Sequence, residues 1–193
     1  TSNLRDPQRL DVWRIDVRSG AAALVAANPG DVTAWKTDHH GRLRLALRGE
    51  GLKLTWLHRA DEHAAWAPLA TTDFRTDVTP EFFDADDRRL YARSNRGRDK
   101  SALVLIDPAR PEVEQVVCEP GGVDAAGAHW SVARRRLERV DWVDERPAHR
   151  FFDADAERLW RRIEAKRPGA TLSLQDADSA EDKLIVSADY DRS

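Results

Sequence analysis

Cysteine is almost missing from this sequence: Cys118 stands alone among 193 residues. A single thiol excludes an intrachain disulfide and leaves the redox compartment open. It sits in the apolar run Val116-Val117-Cys118 and reads as a small buried strand residue rather than a catalytic thiol. Long apolar runs are absent too, and none approaches the length that crosses a bilayer as a helix, so no membrane partner is expected. Thr1 to Leu10 is polar, without the apolar centre of a signal peptide; periplasmic or secreted and cytoplasmic locations all stay open. Neither sign of charge dominates. Lys and Arg number 31 against 34 Asp and Glu, a net charge of −3 with both signs interspersed, which gives no reason to expect nucleic acid or an acidic substrate. What remains is an ordinary globular composition, 41% hydrophobic and 34% charged, in a chain long enough for one core and short for two.

Short apolar runs recur at 11–17, 22–26, 43–47, 53–57, 90–93, 102–106, 113–117, 139–143 and 184–187, separated by turns rich in Asp, Gly, Asn and Pro. Many short strands with almost no helix between them predict an all-β sandwich, barrel or propeller. A fixed period selects among these. Trp13-Arg14-Ile15-Asp16, Leu105-Ile106-Asp107 and Phe151-Phe152-Asp153 each close a strand on an aspartate, and the stretch 53–61, ending in Asp61, supplies the copy between the first two. Val32-Thr33 and Val78-Thr79 open two units 46 residues apart, each with a turn aspartate six residues on, Asp38 and Asp84, and then a leucine-led strand. A period in the forties with four strands per unit is that of propeller blades, each of which buries both faces against its neighbours.

One segment departs from the period. Residues 154–167 place Leu159, Trp160 and Ile163 on one helical face, with Asp153 or Asp155 available as N-cap and Pro168-Gly169 as the stop. The expectation is one helix near 155–166 that replaces the outer strand of its blade. The expected organisation is a half-blade over 1–30 carrying strands three and four between residues 8 and 27, blades at about 31–77, 78–124 and 125–170, and a half-blade over 171–193. A chain that opens and closes in mid-blade is expected to be a propeller fragment. Its two cut edges, 8–27 and 171–190, would then favour self-association.

Ser94-Asn95-Arg96-Gly97-Arg98-Asp99, followed by Ala102-Leu103 and closing on Ile106-Asp107, resembles the hairpin of bacterial prolyl oligopeptidase-like and acylaminoacyl-peptidase-like propellers. The segment from Pro7 to Asp16, the stretch from Asn28 to Val32 and the helix that stops at Pro168-Gly169 are similar to the same group. The resemblance runs over essentially the whole chain, and it rests on the order and spacing of the motifs together. It implies a propeller that sits over an α/β-hydrolase domain, limits which peptides reach the active site, and works without a cofactor. The sequence contains no Gly-x-Ser-x-Gly nucleophile elbow, so no catalytic residue can be carried over to it. Peptide substrate would be met only together with that hydrolase domain. The alternative is a non-enzymatic propeller acting as an interaction or scaffold module.

Four clusters invite chemistry. Asp38-His39-His40 could ligate a metal, but adjacent strand residues face opposite ways and Gly41 follows, so a hairpin turn is expected and no metal site. Asp84, Asp86 and Asp87 share one turn and read as solvated rather than as a carboxylate pair across a cleft. Arg134-Arg135-Arg136 with Arg139 lies between strands and reads as a turn, not a phosphate contact. Arg96 and Arg98, beside Asn95 and Asp99, are the candidate substrate-binding residues, able in principle to fork onto a peptide carboxylate. The seven Trp residues read as strand packing rather than a ligand cage.

Overall fold

A computed structural model describes residues 1–190. Among the described residues there are sixteen strands and one helix, an all-β fold of small antiparallel sheets like the blades of a propeller. The chain divides into two compact units, Thr1–Thr79 with Asp107–Val113, and Pro80–Ile106 with Glu114–Ser193.

The first unit opens with a sheet of β1 (Ser2–Asp6), β2 (Arg9–Ile15) and β3 (Ala22–Ala26), with β2 in the middle. Two strands are expected here from the sequence; β1 is the third, and it covers the edge of β2. Ser-Asn-Leu-Arg-Asp has no hydrophobic alternation to announce a strand, and its one apolar side chain, Leu4, is 78% exposed. Side-chain bonds hold it in place. Asp6 Oδ1 accepts the Gln8 N–H at 2.9 Å to make the turn, and Arg5 forks onto Asp11 at 2.8 and 2.9 Å. The second sheet runs in chain order through β4 (Val32–Thr37), β5 (Leu43–Glu50), β6 (Lys53–His58) and β7 (Ala67–Thr72), and buries Leu43, Leu45, Ala46, Trp56 and Leu69.

The second unit takes most of β8 (Val78–Phe83), then β9 (Leu90–Ser94), β10 (Ala102–Ile106) and β11 (Glu114–Cys118), again four strands in order. Every residue of β10 is buried, as its unbroken Ala-Leu-Val-Leu-Ile run requires of a strand covered on both faces. A three-stranded sheet follows, β12 (Ala125–Ser131), β13 (Arg136–Val143) and β14 (Pro147–Phe151). Leu103 and Cys118 pack with Ala125, Leu137 and Val140 to form the core shared by these two sheets, with Phe82, Tyr91 and Trp142 around it. Burial pushes the Cys118 thiol pKa up, away from reactivity. Helix α1 (Ala154–Lys166) follows β14 in the chain, burying Ala156 and Trp160 while Leu159 stays 39% exposed. Asp153 is its N-cap, and Gly169, at φ +79°, turns the chain into the last sheet, β15 (Ala170–Ala177) and β16 (Leu184–Tyr190).

The strand-closing aspartates all do one job. Asp16 accepts the N–H groups of Arg18 and Ser19, Asp61 those of His63 and Ala64, Asp107 that of Ala109, and Asp153 those of Asp155 and Ala156, all at 2.8–3.0 Å. In the first three the cap closes a turn; in the fourth the same cap starts the helix. A second repeat joins the first two strands of four sheets. Asp38, Asp84, Ser131 and Asp178 stand 46 to 47 residues apart, and Leu43, Leu90, Leu137 and Leu184 lead the next strands. A left-handed residue sits in each turn: Gly41 (φ 70°), Asp87 (56°), Arg135 (52°) and Glu181 (58°).

Candidate functional site

In the second unit a cavity of about 520 Å³ lies among β12, β13, α1 and the β15–β16 hairpin. That size suits a small ligand or a side chain. Its apolar wall is Leu159, Trp160, Leu174 and Leu184, contributed by the helix and the last sheet. His129 and Arg139, on neighbouring strands, are among the cavity's polar lining, and both are tied to Asp141. His129 Nε2 lies 2.7 Å from Asp141 Oδ2, and Arg139 Nε donates to Asp141 Oδ1 at 2.9 Å. Burial alone would raise the Asp141 pKa, but the His129 bond and the Arg139 charge hold it below the usual carboxylate value. His129 Nε2 also lies 3.2 Å from Arg139 Nη2, so the imidazole edge stands between the carboxylate and the guanidinium. Arg139 is 4% exposed, and its guanidinium carbon lies 4.6 Å from the Trp160 ring centre. His149, opposite Asp141 in register on β14, packs edge-on against Phe151 and Trp160, and burial lowers its pKa.

This arrangement holds no nucleophile. Ser131 is on the same strand as His129, yet its Oγ donates to Glu181 Oε2 at 2.5 Å and accepts the Arg134 N–H at 3.0 Å. A serine–histidine pair for acyl transfer would need the hydroxyl on the imidazole instead. Sequence reasoning missed His129, Asp141 and Trp160 as members of one cluster. The available signal was Arg139-x-Asp141, two charges two residues apart and so on one face of a strand.

The candidates taken from the sequence lie elsewhere. Arg96 and Arg98 are brought together, and both face Glu114, at 3.5 and 2.8 Å; Ser94 Oγ also donates to that carboxylate at 2.7 Å. A peptide carboxylate arriving there would compete with one the chain already supplies. Asp38-His39-His40 makes the expected hairpin, with the Asp38 carboxylate accepting from His40 N, Arg42 N, Arg42 Nε and Arg44 Nη1. The acidic turn needs correction: Asp86 is exposed, but Asp84 and Asp87 are 8% and 5% exposed. Asp84 is taken out of water because it caps Arg88 N and Arg89 N and binds Arg89 Nε at 3.0 Å. In the arginine run, Arg134 binds Glu138 and Glu181, Arg135 donates to Ala85 O, and Arg136 pairs with Asp153 at 3.1 Å. Trp56 and Trp160 are buried, and the other five Trp residues are half-buried.

No family model matches the sequence. The chain is similar to the dipeptidyl aminopeptidase BIII of Pseudoxanthomonas mexicana, 29% identical over 202 residues. The match takes in 99% of this chain and 29% of the relative, so the chain spans less than a third of that protein's length. It points to a region related to a peptidase, in line with the resemblance to the prolyl oligopeptidase group.

Proposed function

We propose that this chain is a non-catalytic propeller region of a serine peptidase of the prolyl oligopeptidase type, a wall that gates and selects peptide substrates for an α/β-hydrolase domain. The observation that carries this reading is the end-to-end similarity to a dipeptidyl aminopeptidase. The sheets support it, because repeated antiparallel blades with capped turns form a rigid rim. So does the absence of a nucleophile elbow from the sequence, since catalysis must then come from outside these residues.

The test has two arms. An organophosphonate serine probe should leave this chain unlabelled and label the full reading frame that contains it. In that full protein, deleting residues 31–118 should extend cleavage from short peptides to unfolded polypeptides. Stoichiometric labelling of a serine in this chain would show that it carries its own chemistry. A full protein that takes up no probe would turn the reading to a scaffold.

A further inference from the structure

Of the four repeated hairpins, three supply their own carboxylate. Asp38 caps His40 N and Arg42 N, Asp84 caps Arg88 N and Arg89 N, and Asp178 caps Asp182 N and Lys183 N. The β12–β13 hairpin has Ser131 at that position and lacks the carboxylate. Ser131 Oγ accepts Arg134 N within the turn at 3.0 Å, and Glu181, from the β15–β16 turn, brings in a carboxylate from outside that takes the earlier donors, one and two residues on. Its Oε1 accepts Val132 N at 2.8 Å and Ala133 N at 3.4 Å, and its Oε2 receives Ser131 Oγ at 2.5 Å and Arg134 Nη2 at 3.3 Å. One side chain thus satisfies two backbone donors, a hydroxyl and a guanidinium of a turn some fifty residues away.

Two further features mark Glu181. It stands at φ 58°, in a left-handed conformation that a glutamate seldom adopts, and the equivalent residue of the first hairpin is Gly41. Its hairpin belongs to a sheet of only two strands, and a two-stranded sheet is marginal without other support. That same hairpin forms one wall of the cavity: Leu174, Glu181 and Leu184 face Val132, Leu159 and Trp160.

We propose that Glu181 is a latch that closes the β15–β16 sheet over the cavity by lending its carboxylate to the Ser131 turn. Releasing the latch exposes the apolar wall of Leu159, Trp160, Leu174 and Leu184. The inference is independent of the peptidase reading, since it concerns contacts within one unit of the chain.

Ser131→Asp tests it, because it gives the β12–β13 turn its own carboxylate, as in the other three hairpins, and repels Glu181. Hydrogen exchange and binding of the fluorescent apolar probe anilinonaphthalene sulfonate are the readouts, with β9 and β10 amides as the internal reference. The latch requires Ser131→Asp to make amides of β16 exchange at least about tenfold faster and probe fluorescence to rise. Glu181→Gln, which keeps the side chain's size, should speed exchange in the turn and in β16 together. If Ser131→Asp leaves β16 exchange and probe binding unchanged, Glu181 only caps a turn and the latch is wrong. The latch is equally wrong if Glu181→Gln loosens Val132 and Ala133 alone.

Discussion

The sheets β1–β3 and β8–β11 are both small and antiparallel, yet they are held together by opposite means. Among residues 1–30 only Asp11 and Asn28 are buried, and both are polar. Arg5 forks onto Asp11 and reaches Asn28 O at 3.1 Å, Asn28 N–H donates to Asp11 at 2.7 Å, and Asn28 Nδ2 ties down Val32 O at 2.7 Å. In β8–β11 one of the two inner strands, β10, is five apolar residues, all buried. Burial of apolar surface is non-directional and sums over many contacts, whereas the first sheet depends on the placement of one carboxylate. The two should therefore respond to different perturbations.

The largest effect is expected in the apolar sheet. Leu103→Ala removes a side chain with no solvent exposure and leaves a void between the sheets β8–β11 and β12–β14, at a cost of about 2–5 kcal/mol. Leu10→Ala, at a residue 54% exposed in the first sheet, should change stability by no more than about 0.5 kcal/mol. Urea unfolding, followed by exchange of β9 and β10 amides, measures both. Equal losses from the two substitutions would erase the contrast.

The second effect belongs to the polar sheet. Asp11→Ala should speed amide exchange across 2–28 and leave β9 and β10 as they were, because Arg5, whose side chain is 40% exposed, can turn to water once its partner is gone. Asp11→Asn should fall between, keeping an acceptor for Asn28 N–H and losing the ion pair. Acid should act like the mutation. The Arg5 and Asn28 hydrogen bonds hold the Asp11 pKa below the usual carboxylate value, so the brace is complete above the ordinary carboxylate range and is lost as pH falls through the lowered folded value. Exchange in 2–28 that is indifferent to Asp11→Ala would mean that backbone pairing alone holds the sheet.

The same division explains what could be read from the sequence. β10 and the leucine-led strands were legible because hydrophobic runs report burial, and the aspartates at 16, 61, 107 and 153 were legible because capping ties one residue type to a fixed place in each unit. β1 was not, since its stability comes from Arg5 reaching a residue in the next strand, and composition carries no trace of that. Burial of Asp84 was missed for the same reason: a carboxylate that satisfies several N–H groups leaves water, although its residue type suggests exposure. Only two of the four repeated hairpins were recognised. Ser131 breaks the aspartate pattern, and the carboxylate at that turn comes from Glu181, far along the chain.

The sheet β4–β7 combines both modes and allows the finest separation. Leu45, Ala46 and Trp56 are buried there together with Asp38, Arg44 and Arg59. Arg44 Nε donates to Arg59 O at 2.7 Å, its Nη1 lies 3.2 Å from Asp38 Oδ2, and its Nη2 lies 3.2 Å from His58 Nε2. A guanidinium can only donate, so Nε2 accepts and the imidazole is neutral on that nitrogen. Burial, aided by the Arg44 charge, pushes the His58 pKa down to about 4. An unfolded histidine takes up its proton near pH 6.5 and the folded one resists it, so the stabilising contribution is complete above about pH 6.5 and declines as pH falls toward the folded value. At pH 5.5 the loss should be about 1 kcal/mol, well before most carboxylates titrate. His58→Gln keeps an acceptor for Arg44 and cannot titrate, so its urea midpoint should stay level between pH 7.5 and 5.5 while that of the unsubstituted chain drops. If the two midpoints run parallel over that interval, His58 is protonated in the folded sheet and the buried cation beside it is not what keeps it neutral.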